Sequence, residues 1–170
     1  NSAIKALEKS GISLVIIDTP GTESTASAAA MKVADLCVIP SRPNVFDLWA
    51  SENTRKTLRS MKKEYAFLLN QCPPAQQTAR VEQGAQALQA LGALLMPMVA
   101  SRVDYQEASR QGLGVGELSS GSYAAAEMQA LWKNIKRRMA RNMAQPASAK
   151  SASSAAKEAA PVKRPVKKAA

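Results

Sequence analysis

The 170-residue chain contains no histidine. That removes His-based acid/base catalysis and the commonest zinc ligand. Cysteine is nearly absent too. Cys37 and Cys72 lack C-x-x-C spacing, so they read as free buried thiols in a reducing compartment, neither a disulfide nor a reactive pair. No apolar run reaches the roughly 18 residues that a membrane-crossing helix needs, and no signal-peptide pattern is visible. Acidic residues are scarce at one end only. Residues 132–170 hold eleven Lys/Arg against one acid, Glu158, while residues 1–131 balance at twelve of each. The whole net charge of +10 therefore sits in the C-terminal part. Such an arm implies attraction to nucleic acid or to an anionic membrane face, or else a solubilising tail.

What is present is a series of short apolar runs separated by helical patterns. Ser13-Leu14-Val15-Ile16-Ile17-Asp18-Thr19-Pro20-Gly21 is apolar and rich in β-branched residues, ends in a carboxylate, and passes at once into a Pro-Gly turn. It reads as a buried parallel strand, Ile12–Ile17, that carries Asp18 to the carboxyl edge of an open sheet. A carboxylate there either holds magnesium against nucleotide phosphates or caps an ordinary turn. Further strands are expected at Leu36–Ile39, Ala66–Leu69 and Leu94–Met96. Helices are expected at Ser2–Lys9 (stopped by Gly11), Thr22–Val33, Asp47–Lys63, 76–91, Asp104–Arg110 and 123–143. In the helix from Asp47, Leu48, Trp49, Leu58 and Met61 are candidate core contacts. Val81, Ala85, Leu88 and Leu91 serve the next helix in the same way. This alternation predicts an α/β domain over 1–143, a parallel sheet with helices on both faces. Residues 144–170 are Ala, Ser, Lys and Pro with no aromatic side chain. Ordering them would cost more than burial returns, so a disordered basic tail is expected.

Three blocks carry a resemblance: Ile17-Asp18-Thr19-Pro20-Gly21, the run from Ala34 through Pro40 to Ala50 (ADLCVIPSRPNVFDLWA), and Arg102 to Val115 (RVDYQEASRQGLGV). In this order they resemble the ParA-type partition ATPases, within the MinD-like deviant P-loop ATPases, from about Ile12 to Leu118. The resemblance implies a P-loop NTPase-like fold, with ATP and Mg2+ as cofactors, Asp18 as the magnesium-linked catalytic switch residue, and Thr19, Pro20 and Gly21 as the γ-phosphate-sensing segment. It makes Asn70 the reader of the adenine base, with Pro97 and Met98 packing against it. A turn or cap role for Asn70, and a simple buried strand end for Pro97 and Met98, stay open. It also implies a homodimer that binds non-specific DNA, a ParB-type stimulating partner on the cargo, and a cytoplasmic, nucleoid-associated location. A GTPase is disfavoured, because Asn70-Gln71-Cys72-Pro73 lacks the Lys and Asp of the guanine-reading N-K-x-D segment.

The chain departs from that pattern in one respect. Those ATPases begin with a strand and a loop of the form K-G-G-x-G-K-[ST], whose amides and lysines hold the phosphates. Here only Lys5 and Lys9 precede Asp18, and neither lies in a glycine loop. The chain, which starts at Asn1, is expected to be a fragment without the first strand and phosphate loop, inactive in ATP hydrolysis by itself. For DNA, Arg102 is a candidate contact or the partner of Asp104 or Glu107. Arg42 and Lys56 read as solvated charges or dimer contacts. Along the last helix, Met128, Leu131, Trp132, Ile135 and Met139 form an apolar stripe, and Lys133, Lys136, Arg137, Arg138 and Arg141 are candidate phosphate contacts. A membrane-surface helix of the MinD kind is the less favoured alternative. So is a non-catalytic DNA-binding or regulatory protein.

Overall fold

The computed structural model describes residues 2–22, 24–74 and 78–144. The expected disordered tail lies outside the described residues from position 145 onward.

Helices and strands alternate as the sequence pattern requires. The order is α1 (Ser2–Lys9), α2 (Thr25–Val33), β1 (Cys37–Ser41), α3 (Val45–Ser60), β2 (Tyr65–Leu69), α4 (Ala79–Leu91), α5 (Val103–Arg110), α6 (Val115–Leu118) and α7 (Tyr123–Ala144). Polar side chains cap three of these helices at their first turn. Ser24, Asn44 and Thr78 each accept a hydrogen bond from the backbone N–H three residues on, in α2, α3 and α4. These caps set the starts of α2 and α4 later, and that of α3 earlier, than apolar spacing alone suggests.

β1 and β2 pair in parallel, with Cys37 opposite Tyr65 and Ser41 opposite Leu69. Pro40 is tolerated in β1 because, among the described residues, that strand is an edge, with a side where a missing N–H costs no ladder bond. The segment after α4 runs along the other side of β2. Leu95 N–H donates to the Phe67 carbonyl and Val99 N–H to the Leu69 carbonyl. Four residues advance on one strand while two advance on the other, so Met96-Pro97 bulges out of the ladder. The expected strand Leu94–Met96 is thus present only as isolated parallel bridges, Phe67 to Leu94 and Cys72 to Ala100.

Alternate side chains of β2 feed two cores. Phe67 and Leu69 join Ile39, Leu58 of α3, and Val81 and Leu88 of α4 on one face. Ala66 joins Leu95, Val99 and Leu131 of α7 on the other, with Tyr105 and Ile135 packed around them. Helices therefore cover both faces of the sheet, as the alternation of elements implies. Leu58, Val81 and Leu88 are core residues, and Leu48, Ala85 and Leu91 pack partly buried around them. Trp49 is a correction. It is 66% exposed and stands on the outer face of α3.

The larger correction concerns Ile12–Ile17. This segment forms no strand, every residue from Gly11 to Thr22 is exposed, and Ile16 is 81% exposed. A buried parallel strand needs a neighbour to satisfy its N–H and C=O groups and layers to cover its side chains. Among the described residues no strand pairs with it.

Gly92 closes α4 where the chain passes the aromatic pair Tyr65 and Phe67. A Cβ at this position would stand 2.9 Å from Tyr65 Cε2. The ring cannot easily yield, because its hydroxyl donates to the Leu91 carbonyl at 3.1 Å and it meets Phe67 edge-on. Gly92→Ala is expected to destabilise by about 1–3 kcal/mol through overpacking. A shift of the urea midpoint at constant slope would show it.

Candidate functional site

The carboxyl ends of β1 and β2 meet at a shallow depression of about 170 Å³ lined by Pro40, Ser41, Arg42, Asp47, Asn70 and Gln71. Parallel α/β sheets bind ligands at this edge. The two strand ends are tied by Asn70 N–H donating to the Ser41 carbonyl at 2.9 Å. Asn70 Oδ1 accepts the Gln71 N–H at 2.8 Å, which fixes the orientation of the amide and leaves Nδ2 as a donor. Gln71 takes a left-handed backbone, φ 52°, to turn the chain back.

Arg42 is held by Asp47 in a forked pair, Nε to Oδ2 at 2.6 Å and Nη2 to Oδ1 at 3.1 Å, and its N–H reaches the same carboxylate. Hydrogen bonding from Arg42 lowers the Asp47 pKa, and the same bond raises that of Arg42. Asp47 also lies in the first turn of α3, where the helix dipole favours a negative charge. The pair is solvent-facing and adds little stability. What it supplies is a fixed direction for the guanidinium beside the depression.

The other expected site residues are dispersed. Asp18, Thr19, Pro20 and Gly21 lie in the exposed segment before α2 and do not line the depression. The reason is the unpaired Ile12–Ile17, which leaves nothing to carry Asp18 to the sheet edge. Met98 packs against the core on the α3/α4 face, and Pro97 is half-buried in the bulge. Asn70, Gln71 and Arg42 offer polar groups, whereas the described residues contain no group of three His, Cys, Asp or Glu side chains placed to hold a metal ion.

Arg102 is paired with neither Asp104 nor Glu107. Its guanidinium approaches Glu127 of α7, Nε to Oε2 at 3.4 Å, and lies 5.9 Å from the centre of the Tyr123 ring. Glu127 is 7% exposed and also accepts the Ala100 N–H at 3.2 Å and the Tyr105 hydroxyl at 3.0 Å. The sequence reading missed this residue. The signal was available: stepping back four from Leu131 and Ile135 along the apolar stripe of α7 lands on Glu127. Burial and the bond to Glu127 hold the Tyr105 hydroxyl well above the usual tyrosine range. Burial likewise raises the Cys37 and Cys72 thiols, which are free and poor nucleophiles in consequence.

On α7, Lys133, Lys136, Arg137 and Arg141 are exposed. Arg138 is turned inward, ion-paired with Glu64 and donating to the Tyr65 carbonyl. Lys136 lies over the Trp132 ring at 5.6 Å. Glu127 is the only acid of α7, so the solvent face of this helix carries positive charge alone.

The fold is that of the MinD-type ATPases. It superposes on the crystal structure of the cell division ATPase MinD of Pyrococcus furiosus with a TM-score of 0.67 and 18% identity, covering 80% of this chain and 56% of that one. In sequence, the chain is 29% identical over 120 residues to the maintenance of carboxysome distribution protein A of Halothiobacillus neapolitanus, covering 66% of this chain and 55% of that protein. No protein-family model matches. In sequence and fold the chain is similar to ParA/MinD-type ATPases, and it spans about half the length of the relatives it matches.

Proposed function

We propose that the chain serves in an ATP- and Mg2+-dependent positioning protein of the ParA type, whose dimer binds DNA without sequence preference and places a cargo along it. The observation that carries the DNA part is α7, with Lys133, Lys136, Arg137 and Arg141 exposed and its one acid buried. Phosphate contacts of this kind need no base readout. The fold supports the nucleotide part, as do Asn70 and Arg42 at the sheet edge, where we assign Asn70 to base recognition. Asp18 takes its magnesium-linked role, and Thr19–Gly21 their phosphate-sensing role, only when Ile12–Ile17 pairs into a sheet. Turnover is expected only of a polypeptide that also supplies a phosphate loop. The name of the carboxysome-distribution relative widens the cargo class beyond plasmid or chromosome origins to large intracellular bodies. A cargo-bound partner of the ParB type would stimulate release, and the setting is the cytoplasmic nucleoid.

The test is binding of the chain to labelled duplexes of unrelated sequence at stepped salt, beside cosedimentation with anionic vesicles. Equal affinities that fall linearly on a log–log salt plot are expected, with no vesicle binding. Preference for one sequence, or capture by vesicles but not DNA, would overturn the DNA reading.

A further inference from the structure

Tyr123 opens α7 and is 83% exposed. It is nonetheless held in place. Ser122 fixes the first turn of the helix by accepting the Ala125 N–H at 3.1 Å. The Arg102 guanidinium lies over one face of the ring, 5.9 Å from its centre. Arg102 is in turn paired with the buried Glu127. One face of Tyr123 is thus backed by a planar cation, and the other stands open to solvent. An open aromatic face held in this way is a surface on which a second flat π system stacks.

The position of the ring narrows what that system is. Seven residues make nearly two helical turns, so Tyr123, Ala130 and Arg137 follow one another along one side of α7. Lys133 and Arg141 flank the same line, and all three cations are exposed. Between the ring and the cations stand Ala126 and Ala130, exposed and too small to block a chain laid along the helix. Over roughly 27 Å of helix this side therefore offers an aromatic face at one end and cations at the other. The one acid of α7 is buried beneath it. Cations that track a phosphate chain, joined to an aromatic platform for its bases, are how proteins hold an unpaired strand. A duplex would meet the same cations through its backbone, but its bases are already stacked and paired and none is left for the ring.

We propose that this side of α7 also takes single-stranded DNA, with one unpaired base stacked on the open face of Tyr123 and the phosphates running past Lys133 and Arg137 toward Arg141. This rests on the reading that α7 grips DNA phosphates, and it adds a form of DNA that the stripe tells apart from duplex. Every base has a face to stack, so the site reads strandedness and not sequence. Arg102 is a positioning residue here, since it backs the ring and touches no base.

The full chain tests it, by fluorescence anisotropy with a labelled oligothymidylate of about 12 nucleotides and with a duplex of equal length. Tyr123→Ala is expected to weaken oligothymidylate binding about tenfold and to leave duplex binding within about twofold. Tyr123→Phe keeps the stacking face and should retain the parent affinity for both. The log–log salt slope for the single strand should be the same in Tyr123→Ala as in the parent chain, because no phosphate contact is lost. Lys133→Gln should instead lower that slope by roughly 0.7. Single-strand binding that survives Tyr123→Ala, or is lost equally in Tyr123→Phe, overturns the stacking site. Intact duplex binding in the same experiment leaves the phosphate reading of α7 standing. Equal losses for duplex and single strand in Tyr123→Ala would make the ring a backbone contact and also overturn the proposal. An oligouridylate bound at least about tenfold more tightly than the oligothymidylate would overturn the assignment to DNA. A parent chain that binds neither form removes the phosphate reading, and the stacking site with it. Circular dichroism of each variant separates loss of contact from loss of fold.

Discussion

Glu127→Ala is expected to destabilise the chain by about 3 kcal/mol, although the residue touches no ligand depression. The carboxylate is nearly inaccessible and accepts from three donors of one short segment, the Ala100 amide, the Arg102 guanidinium and the Tyr105 hydroxyl. Ala100 is 1% exposed, so its N–H would lose its acceptor with no water to replace it, a cost of about 1–3 kcal/mol. Arg102 is about a quarter exposed and can turn outward, which limits its share. Tyr105 keeps the Ala124 carbonyl at 3.1 Å and loses least. Glu127→Gln retains an acceptor for the Ala100 amide and should cost about half as much. Urea unfolding with unchanged slope would measure both. An alanine variant within about 1 kcal/mol of the parent chain would mean that water or a rearranged side chain replaces the carboxylate.

The same cluster sets a limit at high pH. The folded state holds Tyr105 neutral beyond the ordinary value of 10.0, chiefly through burial and secondarily through Glu127. A group whose pKa is raised on folding stabilises the fold fully below its unfolded value. That contribution is lost as pH rises past it toward the folded value. Stability should therefore begin to fall above about pH 10, and Tyr105→Phe should remove that component. A stability curve as steep in Tyr105→Phe as in the parent chain would assign the alkaline loss to other groups.

Much of the architecture was legible because it is local. Gly11 and Gly92 and the 3.6-residue spacing of Val81, Leu88 and Leu91 mark helices within their own windows, whereas the polar caps Ser24, Asn44 and Thr78, which set three helix starts, went unread. The two strands that formed, β1 and β2, are the ones that find each other as hydrogen-bonding neighbours. Ile12–Ile17 has the strongest strand pattern in the chain and forms none. Strand character is a property of pairing, which composition does not reveal. Trp49 fell on an apolar spacing but faces outward, because the stripe of α3 is narrow and centred on Leu58. For the site, Asn70 could be placed at the sheet edge from its position after an apolar run. The convergence of Arg42 and Asp47 on it could not, since it depends on how α3 begins. Glu127 was hidden by its type. A carboxylate on a helix reads as solvated until the donors that surround it, from residues 22 to 27 positions earlier in sequence, are brought to it by the fold.

The second large effect belongs to α7. Lys133, Arg137 and Arg141 follow one another at four-residue steps, about 6 Å apart along the helix axis and drifting slowly around it. They form one exposed stripe of charge on a face without a carboxylate to compete. If this stripe grips phosphates, replacing all three by glutamine should lower the log–log salt slope by roughly 2.7. The affinity for duplex DNA near physiological salt should fall by roughly 100-fold. Arg138→Gln gives the opposite pattern. Arg138 lies between Lys133 and Arg141 in sequence but points at Glu64 and the start of β2. Its loss should lower stability while leaving the salt slope nearly unchanged. Basic composition alone predicts the same slope change per residue for all four positions. A structured phosphate-facing stripe predicts that three contribute and one does not. Fluorescence anisotropy at stepped salt with the triple and single variants separates the two, and an equal per-residue loss at Arg138 would reduce α7 to an unspecific cloud of charge.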